Sequence, residues 1–146
     1  MSEAVPRSAT QRAHVVDEAI SVESLVPFVR TPADGAVVTF EGIVRDHDGG
    51  RSVAALEYEA HPSADEVLRA VVARVSAEHP GVRIAALHRV GALSLGDVAL
   101  AAAVASAHRG EAFAACSDLV DAIKAEVPIW KRQVFADGTD EWVGSL

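Results

Sequence analysis

The sequence predicts an α+β domain with mainly antiparallel sheets and three helices. Three observations carry that expectation. Segments rich in β-branched residues, such as "AVVTFEGIVRD" and "SVAALEYEA", recur between helical patterns. Apolar residues return at helical spacing in two long segments: Val67, Leu68, Val71, Val72 and Val75, then Ala112, Ala115, Cys116, Leu119, Val120 and Ile123. Turn residues separate these stretches at Pro32–Asp34–Gly35, Gly49–Gly50, Pro80–Gly81, Gly96–Asp97 and Asp137–Gly138.

Residues 1–12 are polar, contain Pro6 and read as a flexible arm; residues 13–146 read as a single domain. "AHVVDEAI" is expected as a first strand, and Ser21 as the N-cap of a short helix over "VESLVPFVR". A strand is expected from Ala36 to Arg45, with Gly42 marking a bulge or a close backbone approach. It is expected to form a hairpin with "SVAALEYEA" across the "HDGGR" loop. Pro62 opens the second helix and Pro80–Gly81 ends it. "VRIAALHRVGAL" and "VALAAAVASA" read as strands joined by "SLGD", the second remaining open to a helix assignment because it is alanine-rich. The third helix starts at Glu111 and is stopped by Pro128, and "WKRQVFADGTDEWV" reads as a terminal hairpin.

Composition narrows the function. The net charge of -8 opposes a nucleic-acid backbone, so any anionic ligand must be held by a local cluster of Arg, Lys and His. A single cysteine, Cys116, excludes an internal disulfide and fits a reducing compartment; it lies on the apolar helix face and reads as a packed thiol. The N-terminus carries no apolar stretch typical of a signal peptide, and the apolar run Val98–Ala107 is too short to span a bilayer, so a cytoplasmic protein is expected.

The chain has 13 basic side chains other than histidine, and only Lys124 and Lys131 among them are lysines. Arginine keeps its proton at any accessible pH, whereas a lysine amine can be released as base or nucleophile. Two lysines within eight residues, in an otherwise all-arginine chain, therefore mark positions where arginine would fail. Lys124 falls in the last helical turn, where the dipole alone favours a cation. Lys131 follows the Pro128 break, which turns the chain back and lets the two side chains converge. Arg45 ends the Gly42 strand, and His108–Arg109 stand where the alanine-rich strand enters the third helix. Singly, each reads as a solvated charge; together, placed at element ends, they favour an anion site. Asp46–His47–Asp48 reads as loop polarity, and neither metal nor cofactor is expected. Phosphate-loop and GxSxG motifs are absent.

Five motifs in series resemble the catalytic (large) subunit family of molybdopterin synthase: "GAVVTFEGIVRDH", "LEYEAH", "IAALHRVGALSLGD", "SAHRGEAFAAC" and "IKAEVPIWKRQ…DGTDEWV", covering about Gly35 to Val143 in order. The resemblance implies an α/β hammerhead-like domain. It implies transfer of sulfur to cyclic pyranopterin monophosphate, forming the molybdopterin dithiolene of molybdenum cofactor biosynthesis. It further implies a homodimer, with a small ubiquitin-like sulfur-carrier subunit docked on each chain and bearing its sulfur as a Gly-Gly thiocarboxylate. The family's substrate pocket falls on Ile43, Val44, Arg45, His108, Arg109, Lys124, Lys131, Arg132 and Gln133, with the His-Arg pair reaching in from the other large subunit. Fixed cations would hold the phosphate, and crowding by them would favour a free lysine amine. Lys131 is the expected acid/base or transient acyl acceptor, with Lys124 assisting.

Two departures stand out. Gln133 replaces a common family glutamate, leaving one carboxylate fewer near Lys131, and the sequence ends at Leu146, without the longer basic tail of some relatives. The alternatives are an acylphosphatase-like phosphohydrolase, whose water-orienting Asn this chain lacks, and a non-catalytic module that binds an anion or a partner's tail.

Overall fold

The computed structural model describes residues 12–144. The expected N-terminal arm thus lies outside the described residues apart from Arg12, whose guanidinium stacks 3.7 Å from the Phe28 ring centroid. The fold is α+β. Its strands are β1 (Ala13–Val16), β2 (Ala36–Ile43), β3 (His47–Asp48), β4 (Arg51–Ala60), β5 (Arg83–Arg89), β6 (Gly91–Leu93), β7 (Val98–Ser106), β8 (Ile129–Phe135) and β9 (Asp140–Val143). Its helices are α1 (Val26–Val29), α2 (Ala64–Glu78) and α3 (Arg109–Glu126).

The strands form two sheets. One runs β1-β5-β7-β2; the other runs β3-β4-β8-β9, with β6 also paired to β4. Among the described residues only the β1–β5 pair is parallel. The alanine-rich segment is a strand because β5 and β2 pair with it on either side. Residues alternate across a strand, so Ala102 and Val104 pack with Leu68, Val72, Ala115 and Leu119 of α2 and α3. Ala101, Ala103 and Ala105 pack with Leu25 and Val29 of the α1 segment. Both faces are covered, and short side chains let the layers approach.

The expected hairpin between the Gly42 strand and "SVAALEYEA" does not form. β2 pairs antiparallel with β7 in the first sheet, while β4 belongs to the second. The tight turn is present but joins the short β3 to β4: Asp48 pairs with Arg51 across Gly49 and Gly50, whose φ values of 58° and 81° suit a two-residue turn with both residues left-handed. Between the two sheets the chain leaves β2 at an irregularity at Gly42/Ile43, the first of the two readings, bulge or close backbone approach, that the sequence offered for Gly42. Three smaller differences are local. The first strand stops at Val16; β6 splits from β5 at Gly91, whose φ is 97°. The short helix begins only at Val26, after Leu25, with Pro27 in its first turn; Ser21 instead accepts, through its carbonyl, a hydrogen bond from Ser24 Oγ.

The helix pair is clamped electrostatically as well as by packing. Arg74 on α2 reaches Glu126 on α3 in a two-pronged pair, and His79 Nε2 lies 2.7 Å from Asp118. The β2 start is fixed by close approach: a Cβ at Gly35 would lie 2.6 Å from the Ala107 carbonyl oxygen. Backbone occupies that space and cannot swing aside. Gly35→Ala is therefore expected to lower stability by roughly 1–3 kcal/mol, a typical overpacking cost, read as a reduced urea midpoint at unchanged slope.

Candidate active site

A cleft of about 340 Å³ opens where the two sheets meet. Its lining comes from the β2 end (Gly42, Ile43) and the following Val44, Arg45 and His47, from Leu56 and Tyr58 of β4, and from Ala99 and Leu100 of β7. His88, Lys124, Lys131, Gln133 and Val143 complete it. Strand parity selects this set. Lys131 pairs across the sheet with Tyr58, and Gln133 with Leu56, so these four point to one face. Arg132 lies between them and points the other way, where Nε donates to Asp140 Oδ2 at 2.7 Å and Nη1 stands 3.6 Å from Glu57. The structure thus keeps Arg132 out of the cleft.

The two lysines reach the cleft because of how α3 ends. Val127 is extended (φ -75°, ψ 122°), as the residue before a proline prefers, and β8 begins at Ile129 directly after Pro128. Lys124 in the last turn and Lys131 three residues into the strand therefore line one cavity. Arg45 stands at its exposed rim. No carboxylate is among the described residues that line it, so the cleft is cationic within a chain of net charge -8.

His108 and Arg109 are not brought there. His108 caps the start of α3 and both side chains are exposed. From Leu100 in the cleft wall to His108 the chain runs eight residues, nearly all extended, or roughly 26 Å at about 3.3 Å per residue. The pair sits at the opposite end of β7 from its own chain's cleft.

Two residues not singled out from sequence shape the floor. His88 is 1% exposed, and its Nδ1 donates to the Arg89 carbonyl at 2.9 Å, which leaves Nε2 as the lone-pair nitrogen. Tyr58 packs edge-on against it, with centroids 5.3 Å apart and ring planes at 76°. Burial, together with the nearby charge of Lys124, lowers the His88 pKa to about 4, partly offset by the Arg89 carbonyl. Burial also pushes the Tyr58 hydroxyl upward. The signal in sequence was parity: Leu56 and Tyr58 alternate in "LEYEA", but which face met the ligand depended on the β4–β8 pairing. Among the described residues, no three His, Cys, Asp or Glu side chains gather as a metal cluster.

An α+β scaffold with a cationic, lysine-bearing cleft has the chemistry to hold a small anion and offers an amine for proton or acyl transfer. Comparison with known proteins gives the family. The MoaE protein family model matches residues 15–126. The chain is 37% identical to molybdopterin synthase catalytic subunit 1 of Mycobacterium tuberculosis, over 99% of this chain and 98% of that one. It is 40% identical to the molybdopterin synthase catalytic subunit of Staphylococcus carnosus, over 89% and 87% respectively. The crystal structure of molybdopterin synthase from Staphylococcus aureus is similar in fold, with a TM-score of 0.85 and 35% identity over 91% of this chain and 97% of that one. The chain belongs to the MoaE family.

The buried imidazole makes stability depend on pH. The unfolded His88 takes up a proton near pH 6.5, whereas the folded one does so only near 4. Its contribution is complete above pH 6.5 and is lost as pH falls toward 4. Over that range the loss is about 3 kcal/mol, at 1.36 kcal/mol per pH unit. His88→Gln should therefore lose less stability than the parent between pH 7 and pH 4.5, by roughly 2 kcal/mol, as read from urea midpoints at the two pH values.

Proposed function

We propose that this chain is the catalytic subunit of molybdopterin synthase, moving sulfur from the thiocarboxylate of a small carrier subunit onto cyclic pyranopterin monophosphate to form the dithiolene. The observation that carries this reading is the convergence of Lys124, Lys131 and Arg45 on one cleft. A phosphate-bearing substrate needs fixed cations, and Arg45 at the rim supplies one. Each transfer makes a carbon–sulfur bond on the precursor and breaks the acyl–sulfur bond of the carrier, so protons must move. Lys131, half-buried beside Tyr58 and Gln133, is the acid/base or transient acyl acceptor; Lys124 assists from the helix end and binds. Ile43 and Val44 form the apolar wall, Val44 being fixed by its amide to the Asp97 carbonyl at 3.0 Å.

The separation of His108–Arg109 from its own cleft supports a site completed by a second copy of the chain, whose pair would add two further donors to the phosphate. Arg132, turned toward Asp140 and Glu57, has a structural part in the β8–β9 hairpin on this reading. The protein works in the cytoplasm, in keeping with the buried free thiol of Cys116; no described helix is long and apolar enough to cross a membrane.

Reconstitution with a thiocarboxylated carrier and the precursor should yield the dithiolene product. In single turnovers with both saturating, Lys131→Arg should fail nearly as badly as Lys131→Ala, losing roughly 100-fold or more if a proton transfer is removed. A Lys131→Arg enzyme as fast as the parent overturns the role, since arginine keeps charge and donors but not a releasable proton. Lys124→Arg should be milder.

Subunit sharing has its own test. Neither His108→Ala nor Lys131→Ala chains alone should turn over well, whereas mixing them should restore part of the activity through dimers holding one intact site. No recovery after demonstrated subunit exchange counts against a shared site.

A further inference from the structure

Gln133 is 2% exposed, and its amide nitrogen donates twice: to Asp48 Oδ2 at 2.8 Å and to Glu141 Oε1 at 3.3 Å. Only an NH₂ group can serve two carboxylates at once, so the amide orientation is fixed by chemistry. Asp48 is thereby tied from its turn to the centre of β8, 85 residues away in sequence. Its other oxygen stands 3.6 Å from Arg45 Nη2. The bond from Gln133, followed by the charges of Lys131, Arg45 and His47, holds the Asp48 carboxyl below its usual range. An ordinary exposed pair such as Arg45–Asp48 counts for little, because both side chains wander. Here one partner is anchored by a buried amide, so the carboxylate has a fixed place near a cleft whose charged lining residues, Arg45, Lys124 and Lys131, are all cations. A glutamate at 133 would put three carboxylates together; glutamine is the residue that lets Asp48 stay.

We propose that Asp48 is a positioning residue of this site: tethered by Gln133, its carboxylate orders the neighbouring Arg45 guanidinium and sets a fixed negative charge on the face of β8 that carries the Lys131 amine. It acts through those two groups and need not touch the substrate. The activity part of this inference rests on the sulfur-transfer reading; the positioning part does not.

The test uses the two-lysine composition of the chain, which gives lysine-selective ¹⁵N labelling just two side-chain Nζ signals, assigned with Lys124→Arg. Asp48→Asn keeps the shape of the side chain but removes the charge. In the full-length protein it should shift the Lys131 Nζ signal more than that of Lys124, and slow single turnovers roughly tenfold, the scale of one charge-assisted contact. Gln133→Glu should also shift the Lys131 signal, by crowding carboxylates. The exchange variant Asp48→Asn/Gln133→Glu restores one amide and one carboxylate, and should bring signal and turnover back toward the parent. A Lys131 signal unmoved in Asp48→Asn overturns the proposal, as does a turnover loss that the exchange variant fails to recover. If the parent itself makes no dithiolene, the functional reading fails, while the Nζ signals still decide whether the Asp48 charge acts on the lysine.

Discussion

Strand β7 runs through the middle of the first sheet, with Ala99 to Ser106 buried along its whole length. A strand covered on both faces by helical segments and paired on both edges leaves room for little beyond a methyl group. The alanines meet that constraint, and other features follow from it. Helices α2 and α3 settle against one face and the α1 segment against the other. The outer edge of β7 takes β2 as its partner, so β2 cannot fold back on β4 and the chain must cross between sheets after Gly42. That crossing carries Val44 and Arg45 to the cleft. The length of β7 also sets the distance between the cleft and the α3 start, and so decides which basic residues one chain can gather by itself.

At the other end of α3, a proline does comparable work over a shorter range. Pro128 lacks an N–H to continue the helix and biases Val127 toward extended backbone. The helix therefore passes into β8 with almost no loop, and Lys124 and Lys131 are brought together by two rigid elements. Side chains set on rigid elements are held more narrowly than those on loops. Beneath them His88 stays neutral at physiological pH, because its ring is buried and Lys124 adds a like charge. The positive charge of the cleft is thus concentrated on Arg45 and the two lysines. A histidinium there would only add to the repulsion among the cations.

The elements themselves were largely legible because their signals are local: helical spacing in α2 and α3, turn residues at Gly96 and Gly138, the glycine at the β2 irregularity. Pairing was less legible. "AVVTFEGIVRD" and "SVAALEYEA" are near neighbours with a glycine turn between them, and nothing in either string says that β7, more than fifty residues later, is the better partner for the first. The turn was real, but β3 used it. The same limit governed the site. Lys131 and Gln133 share a face by parity, which also excludes Arg132 once β8 is known to be a strand. His88, Tyr58 and Asp48 reach the cleft and its edge only through contacts between strands far apart in sequence, and the substitution of Gln133 for an acid read as a missing charge until Asp48 was seen to lie on its amide.

The distribution of cations follows from these constraints. Arg45 lies at the exposed rim, where a permanently charged fork can grip a dianion without a desolvation cost. The lysines also line the cleft, on a helix and a strand joined by only two residues. His108 and Arg109, roughly 26 Å away by strand length, are held at a helix start, where backbone N–H groups favour anions as well. In a two-fold symmetric pair, any contact that carries this end of one chain to the cleft of the other is repeated in the opposite sense. The same rigid β7 that keeps the pair from its own cleft would then deliver it to the neighbour's, twice over, with no flexible arm to order on binding. A chain of net charge -8 can in this way assemble a phosphate site without crowding all its positive charge into one folded unit, where the cations would destabilise one another in the absence of substrate.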